Sequence, residues 1–251
     1  MLARRHPVLF IGAISVVLVV LLGLAYAALA PLSNGPLRIT APDAAAPTWA
    51  KPAAAPATVD EPRGEGITDL IDPEWLASTS ELTGIPPRAL AAYAGAAVVT
   101  SETSPDCGIG WNTLAGIGWV ESRHGSYGGS VLAANGNIRP GIYGIALDGS
   151  STAHIPDSDD GRYDKDSEYD RAVGPMQMIP QSWRNWRIDG NGDGKRSPQN
   201  IDDAVLAAAN YLCRAREDMT DKDGWRDTIA TYNSAPSYLL LVAAKATEYA
   251  R

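Results

Sequence analysis

The chain has 251 residues, 45% of them hydrophobic, with 29 acidic against 21 basic side chains and a net charge of −8. From Ile67 to Arg251 there are 25 Asp and Glu against 16 Lys and Arg and no basic stripe. That balance argues against nucleic acid as a partner and against strong electrostatic attachment to anionic lipid.

The first quarter is not globular material. Arg4 and Arg5 precede an almost unbroken apolar stretch from Val8 to Ala30. As a helix it spans ~35 Å, enough for a hydrocarbon core of ~30 Å. Residues 1–30 are therefore expected to be a transmembrane helix with the N-terminus cytoplasmic and everything after it extracytoplasmic, a single-pass protein of the cell membrane. The rival is a signal peptide cut near Ala25-Tyr26-Ala27, giving a secreted protein. Residues 31–66 turn to Ala and Pro, as in Ala41-Pro42-Asp43-Ala44-Ala45-Ala46-Pro47, too poor in large apolar side chains for a core and expected as a disordered, extended linker. Residues 67–251 hold enough chain for one good-sized core.

Within that domain Asp72-Pro73-Glu74 reads as cap, first helical position and first-turn acid of a short helix. Pro86 and Pro87 open a longer one to about Thr100. A third runs from Trp111 to a stop at Gly125. A Gly-rich stretch to about Ser151 predicts loop with a small hairpin, its turn at Asn135-Gly136 between Val131-Leu132 and Ile138. Further helices are expected from Pro180 to Trp186, Asp203 to about Met219, Trp225 to Tyr232 and Ser237 to Tyr249. The fold class is mainly α.

In the third helix Leu114, Ile117 and Glu121 share one face. A carboxyl turned toward apolar neighbours is held protonated toward neutrality and becomes a proton donor. The bland alternative is a Glu near a helix end that turns to solvent. Cys107 and Cys213, an even pair on the outer side, most simply form one disulfide, the alternative being two buried thiols.

Glu121-Ser122, Gly174-Pro175-Met176-Gln177 and Thr231-Tyr232-Asn233 stand in the order and approximate spacing of the lytic murein transglycosylases with a lysozyme-like, SLT-type domain. The resemblance covers about Ile85 to Val242 and is closest to actinobacterial, membrane-anchored members. The tract from Asp170 to Trp183 and the run from Asp203-Ala204 to Cys213 carry it most specifically. Pro175 stands where the family often has Leu or Ala, and Thr231 replaces the commoner Ala; neither change removes a polar group. The resemblance implies cleavage of the β-1,4 bond between N-acetylmuramic acid and N-acetylglucosamine in peptidoglycan. One Glu serves as acid and then base, and the sugar's 6-hydroxyl as internal nucleophile, leaving 1,6-anhydromuramic ends. A tethered nucleophile needs no second carboxylate to activate water. By the same resemblance Glu121 is the acid/base, Ser122 orients it or the substrate's N-acetyl group, and Gln177, Tyr232 and Asn233 bind sugar. Against these stand plainer readings: Ser122 as helix filler, Tyr232 as a core aromatic, Met176 and Met178 as groove lining or core. No catalytic cofactor is implied, and the protein is expected as a monomer. The rival functions are a goose-type lysozyme-like muramidase, which needs a second carboxylate, and a noncatalytic calcium-dependent module that holds cell-wall glycan.

Asp189-Gly190-Asn191-Gly192-Asp193-Gly194-Lys195 matches the opening of an EF-hand loop, with oxygen ligands at Asp189, Asn191 and Asp193 and the Lys195 carbonyl next. Asn200 stands where the bidentate Glu is expected. Transglycosylases with such a loop delay the last carboxylate, which makes Asp203 the candidate and Asp202 the reserve for a structural Ca²⁺. The alternative is an Asx/Gly turn. The acidic run from Asp157 to Asp170 places Gly161 where a ligand belongs and reads as a solvated loop.

Overall fold

A computed structural model describes residues 46–215 and 218–251. The apolar stretch Val8–Ala30, the cleavage-like Ala25-Tyr26-Ala27 and residues 31–45 lie outside the described residues. Among the described residues no helix is long and apolar enough to cross a membrane.

Seven α-helices, two short 3₁₀ helices (Ile67–Leu70 and Tyr127–Gly129) and one two-stranded antiparallel pair make up the regular structure of the described residues, a mainly α architecture consistent with a lysozyme-like fold. Helix α1 (Pro73–Thr83) starts where Asp72 accepts from the backbone N–H groups of Glu74 and Trp75, and ends at Gly84 in the left-handed region, φ 70°. Helix α2 (Pro87–Thr103) is buried continuously from Ala89 to Ala97, its alanines letting neighbours approach closely. Helix α3 (Trp111–Ser122) is buried nearly all round, with Leu114 and Ile117 fully enclosed. It stops at Ser122 rather than Gly125, because Arg123 and His124 already turn left-handed at φ 54° and 59°. Strands β1 (Val131–Leu132) and β2 (Ile138–Arg139) pair Val131 with Arg139 and Leu132 with Ile138 around the expected Asn135-Gly136 turn.

Helix α4 (Pro180–Trp186) follows the expected Pro start. Helix α5 (Ile201–Ala215) begins two residues before the expected Asp203, since the Asn200 side chain accepts from Asp202 N–H and acts as the cap. Helix α6 (Lys222–Tyr232) likewise starts early, on Asp221, which accepts from Asp223 and Gly224. Helix α7 (Pro236–Tyr249) closes the set. The core forms where α2 meets α3 and α5, and where α3 meets α7; Trp183, Leu212, Trp225 and Ile229 are enclosed in it. The disulfide Cys107–Cys213 ties the turn after α2 to the last turns of α5, with Cα atoms 5.3 Å apart.

The N-terminal boundary differs from expectation. Residues 46–66, read from their Ala/Pro content as the end of a free linker, lie against the helices instead. Ala50 is only 1% exposed. Ala53 N–H donates to Asn112 Oδ1 at 2.9 Å, Trp111 Nε1 donates to the Ala54 carbonyl, and Thr58 bridges to Ile71. A Pro-rich strand without its own core still docks when its backbone groups find partners on a buried surface.

Candidate active site

Glu121 sits in the last turn of α3, on the face it shares with Leu114 and Ile117. It is half-buried, and burial pushes its carboxyl up to about 7. Its hydrogen-bond partner is Tyr238, whose hydroxyl donates to Glu121 Oε1 at 2.6 Å and acts the other way, lowering the pKa. Burial drives the Tyr238 hydroxyl well above its ordinary value, with the Glu121 charge adding to the effect, so it stays a proton donor to the carboxyl. Tyr238 was not among the residues singled out from sequence: it sits five positions past Asn233, in the first turn of α7, with no motif of its own.

Ser122 is 1% exposed. Its hydroxyl donates to the Pro175 carbonyl at 2.7 Å and accepts from Gly125 N–H at 2.8 Å, binding the end of α3 to the Gly174–Gln177 turn. That turn requires its glycine: Gly174 has φ 74°, and a Cβ there would collide with the Pro198 carbonyl. Gln177 itself is left-handed at φ 47° and donates Nε2–H to the Gly174 carbonyl at 2.9 Å. Tyr232, the last residue of α6, donates to the Met176 carbonyl at 2.6 Å. Burial and the Glu121 charge raise its hydroxyl well above the ordinary value. Asn233 is buried and accepts from Ala235 N–H at the entry to α7. The three predicted segments thus meet: Ser122 touches the Gln177 turn, Tyr232 touches the same turn, and α7, which follows Asn233, carries the partner of Glu121. Met176 and Met178 are core. Beside the turn a shallow recess is lined by Gln177, Met178, Ile179, Ser182, Tyr211 and Tyr232.

The Asp189 loop folds through its own side chains. Asp189 accepts from Gly192 and Gly194, Asn191 from Asp193, and Asp193 from Lys195. Asp203 reaches back to Gly190 N–H at 2.8 Å and Ser197 N–H at 2.7 Å. Its burial pushes the carboxyl up to about 6. Asp202 is held in a bidentate pair with Arg88, at 2.8 and 2.5 Å, and points away from this role. The run from Asp157 to Asp170 is only in part the solvated loop expected: Asp160, Lys165 and Glu168 are exposed, but Asp164 and Asp170 are 2% and 0% exposed. Asp170 accepts from both Ser158 N–H and Oγ–H, Asp164 from Arg171 N–H, and carboxylate oxygens of Asp157, Asp159 and Asp164 lie within 4.8 Å of one another. These carboxylates serve as the loop's internal hydrogen-bond acceptors, which is why Asp164 and Asp170 can be buried while Asp160, Lys165 and Glu168 stay exposed.

Residues 159–237 match a family model described as Transglycosylase SLT domain. No curated protein and no solved structure matches the chain. The matched span holds Gln177, Tyr232 and Asn233, together with the recess and the Asp189 loop, and stops one residue short of Tyr238. The chain therefore carries a lytic transglycosylase SLT-type domain, the kind of domain that cleaves the glycan strands of peptidoglycan.

Proposed function

We propose that this protein cleaves the β-1,4 bond between N-acetylmuramic acid and N-acetylglucosamine and leaves 1,6-anhydromuramic ends, with Glu121 as acid and then base. The observation that carries this is the half-buried Glu121, its carboxyl pushed up to about 7 and bonded to a tyrosine rather than to a cation. Such a group is protonated near neutrality, gives its proton to the leaving oxygen, and as a carboxylate takes the proton of the 6-hydroxyl as that oxygen attacks C1. The two groups facing it, Tyr232 and Tyr238, are phenols that stay neutral. Neither activates water, which favours the intramolecular nucleophile over the hydrolytic route. Gln177, Tyr232 and Asn233 bind sugar at the turn, and Ser122 holds the turn to α3.

Digestion of purified peptidoglycan followed by mass spectrometry of the muropeptides tests this reading. Anhydro ends support it, free reducing ends make the protein a muramidase, and binding without products makes it a wall-binding module.

The domain acts outside the cytoplasmic membrane, anchored through Val8–Ala30, as a monomer. The Asp189 loop takes Ca²⁺ through Asp189, Asn191, Asp193, the Lys195 carbonyl and Asp203. Hard oxygen donors suit that ion, and a buried carboxyl pushed up to about 6 is one that a cation would keep ionised. The ion's contribution there is structural, and catalysis needs no cofactor.

A further inference from the structure

Asn112, in the first turn of α3, is fully buried, and three of its amide's four hydrogen-bonding positions are used, both donors among them. Oδ1 accepts from Ala53 N–H at 2.9 Å, while Nδ2 donates to the Lys51 carbonyl and to the Ala246 carbonyl, both at 2.9 Å. A flipped amide would set N–H against N–H and oxygen against two carbonyls, so the network admits one orientation. Lys51 and Ala53 belong to the docked 46–60 segment; Ala246 lies in the last turn of α7, where helix carbonyls run out of partners. The segment presses on the start of α3 closely enough that a Cβ at Gly110 would meet Pro52 Cα at 2.9 Å.

Along α7, Tyr238, Val242 and Ala246 are spaced by four and form one stripe. Each meets α3: Tyr238 at Glu121, Val242 at Gly116, where a Cβ would approach the Val242 carbonyl to 3.1 Å, and Ala246 at Asn112. The same Cβ at Gly116 would meet Ala246 Cβ and N at 3.2 Å, so α7 is seated on α3 along this whole stripe. A reseating of α7 that carried Tyr238 about 1 Å away would open the 2.6 Å bond to Glu121 beyond hydrogen-bonding range.

We propose that Asn112 is a positioning residue: by fastening the docked N-terminal segment and the last turn of α7 to the start of α3, it holds Tyr238 against Glu121. The proposal rests on Glu121 being the acid, and it makes the segment upstream of residue 60 a working part of the catalytic domain. The titratable groups set against Glu121 among the described residues are Tyr238 from α7 and Tyr232 from α6. Since the Tyr238 hydrogen bond lowers the Glu121 pKa, its loss raises it.

The test compares full-length wild type, Asn112→Asp, Ala50→Lys, Tyr238→Phe and the doubles with Tyr238→Phe. The readouts are carboxyl ¹³C NMR titration of Glu121 and pH profiles of kcat and KM on peptidoglycan. Asn112→Asp keeps the acceptor and loses both donors; Ala50→Lys sets a charge where the segment is buried, and is expected to expel it without changing any residue of α3 or α7. Both singles are expected to move the Glu121 titration and the alkaline limb of kcat upward, as Tyr238→Phe does. kcat should fall roughly fivefold, as for one lost hydrogen bond, with KM little changed. The doubles should shift no further than Tyr238→Phe alone. A wild-type Glu121 titration in folded Ala50→Lys and Asn112→Asp overturns the proposal, as do additive doubles. If Asn112→Asp does not fold, Ala50→Lys decides. Cleavage by Glu121→Gln at the wild-type rate would instead overturn the reading of Glu121 as the acid, and the NMR titration would still decide the coupling.

Discussion

The Tyr238 hydroxyl donates to Glu121 Oε1 across 2.6 Å, joining residues 117 positions apart on α7 and α3. It opposes the effect of burial on the carboxyl, so the two influences together hold Glu121 at about 7, the range in which one group can both give and take a proton. Tyr238→Phe removes the opposing influence. The Glu121 pKa then rises, the protonated acid persists to higher pH, and the alkaline limb of the kcat profile moves upward. A limb that moves down, or stays, means that Tyr238 does not act on the acid.

Glu121→Gln keeps the shape of the side chain and removes the proton. General acid/base action is worth about 10²–10⁴-fold. If the same carboxyl serves both steps, as proposed, the loss of glycan cleavage is expected at the upper end. Retention of more than about a tenth of the wild-type rate excludes Glu121 as the acid, provided circular dichroism shows the variant folded.

The same substitution should stabilise the fold in a pH-dependent way. Unfolded, the carboxyl ionises at its ordinary 4.5; folded, at about 7. Below the lower value both states are protonated, and the wild type is as stable as its neutral form allows. As pH rises through the upper value the folded protein must ionise a half-buried group, and that stability is lost. Glutamine never ionises. Thermal melts should therefore show Glu121→Gln close to wild type at pH 4 and more stable at pH 8, by roughly 3 kcal/mol at most. Equal melting temperatures at pH 8 would show that the carboxyl is not destabilised by burial.

The sequence made the Glu121 face legible because Leu114 and Ile117 repeat at helical spacing, and two buried aliphatics aim the third position inward. The Gly174–Gln177 turn and the Tyr232-Asn233 pair were legible through their motif. Tyr238 was not, because its place against Glu121 follows from how α7 seats on α3, a tertiary fact that leaves no local pattern. The docked 46–60 segment was hidden for the opposite reason: its Ala/Pro composition is that of a spacer, and only the backbone bonds to Asn112 and Trp111 distinguish it from one. The buried Asp164 and Asp170 were read as solvated because their partners are backbone and hydroxyl donors brought in by the loop's own path.

The disulfide closes 106 positions of chain between Cys107 and Cys213. Loop-closure entropy for that length is worth roughly 4–5 kcal/mol. Replacing both cysteines with serine should lower the chemical-denaturation midpoint with little effect on activity at low temperature, since neither cysteine touches Glu121 or the Gln177 turn. An unchanged midpoint would mean that the unfolded chain is already constrained there.

If the Asp189 loop takes Ca²⁺ as proposed, the ion should bear on stability rather than chemistry, because the loop is fastened to the start of α5 through Asp203. A ligand that binds only the folded state stabilises by RT ln(1 + [L]/Kd), about 2.7 kcal/mol at ~100 Kd. Calcium should raise the melting temperature of the wild type, and Asp189→Ala or Asp203→Ala should abolish that response. Asp202→Asn should keep the calcium response while lowering the baseline, since Asp202 is held by Arg88 and its loss strands a half-buried cation. Cleavage at low temperature should survive chelation. A melting temperature indifferent to chelation would make the loop an Asx/Gly turn that its own hydrogen bonds suffice to close. A chelated protein that stays folded yet no longer cleaves would join the loop to catalysis, through the one turn of chain between Asp203 and the Gly174-Pro198 contact that supports Gln177.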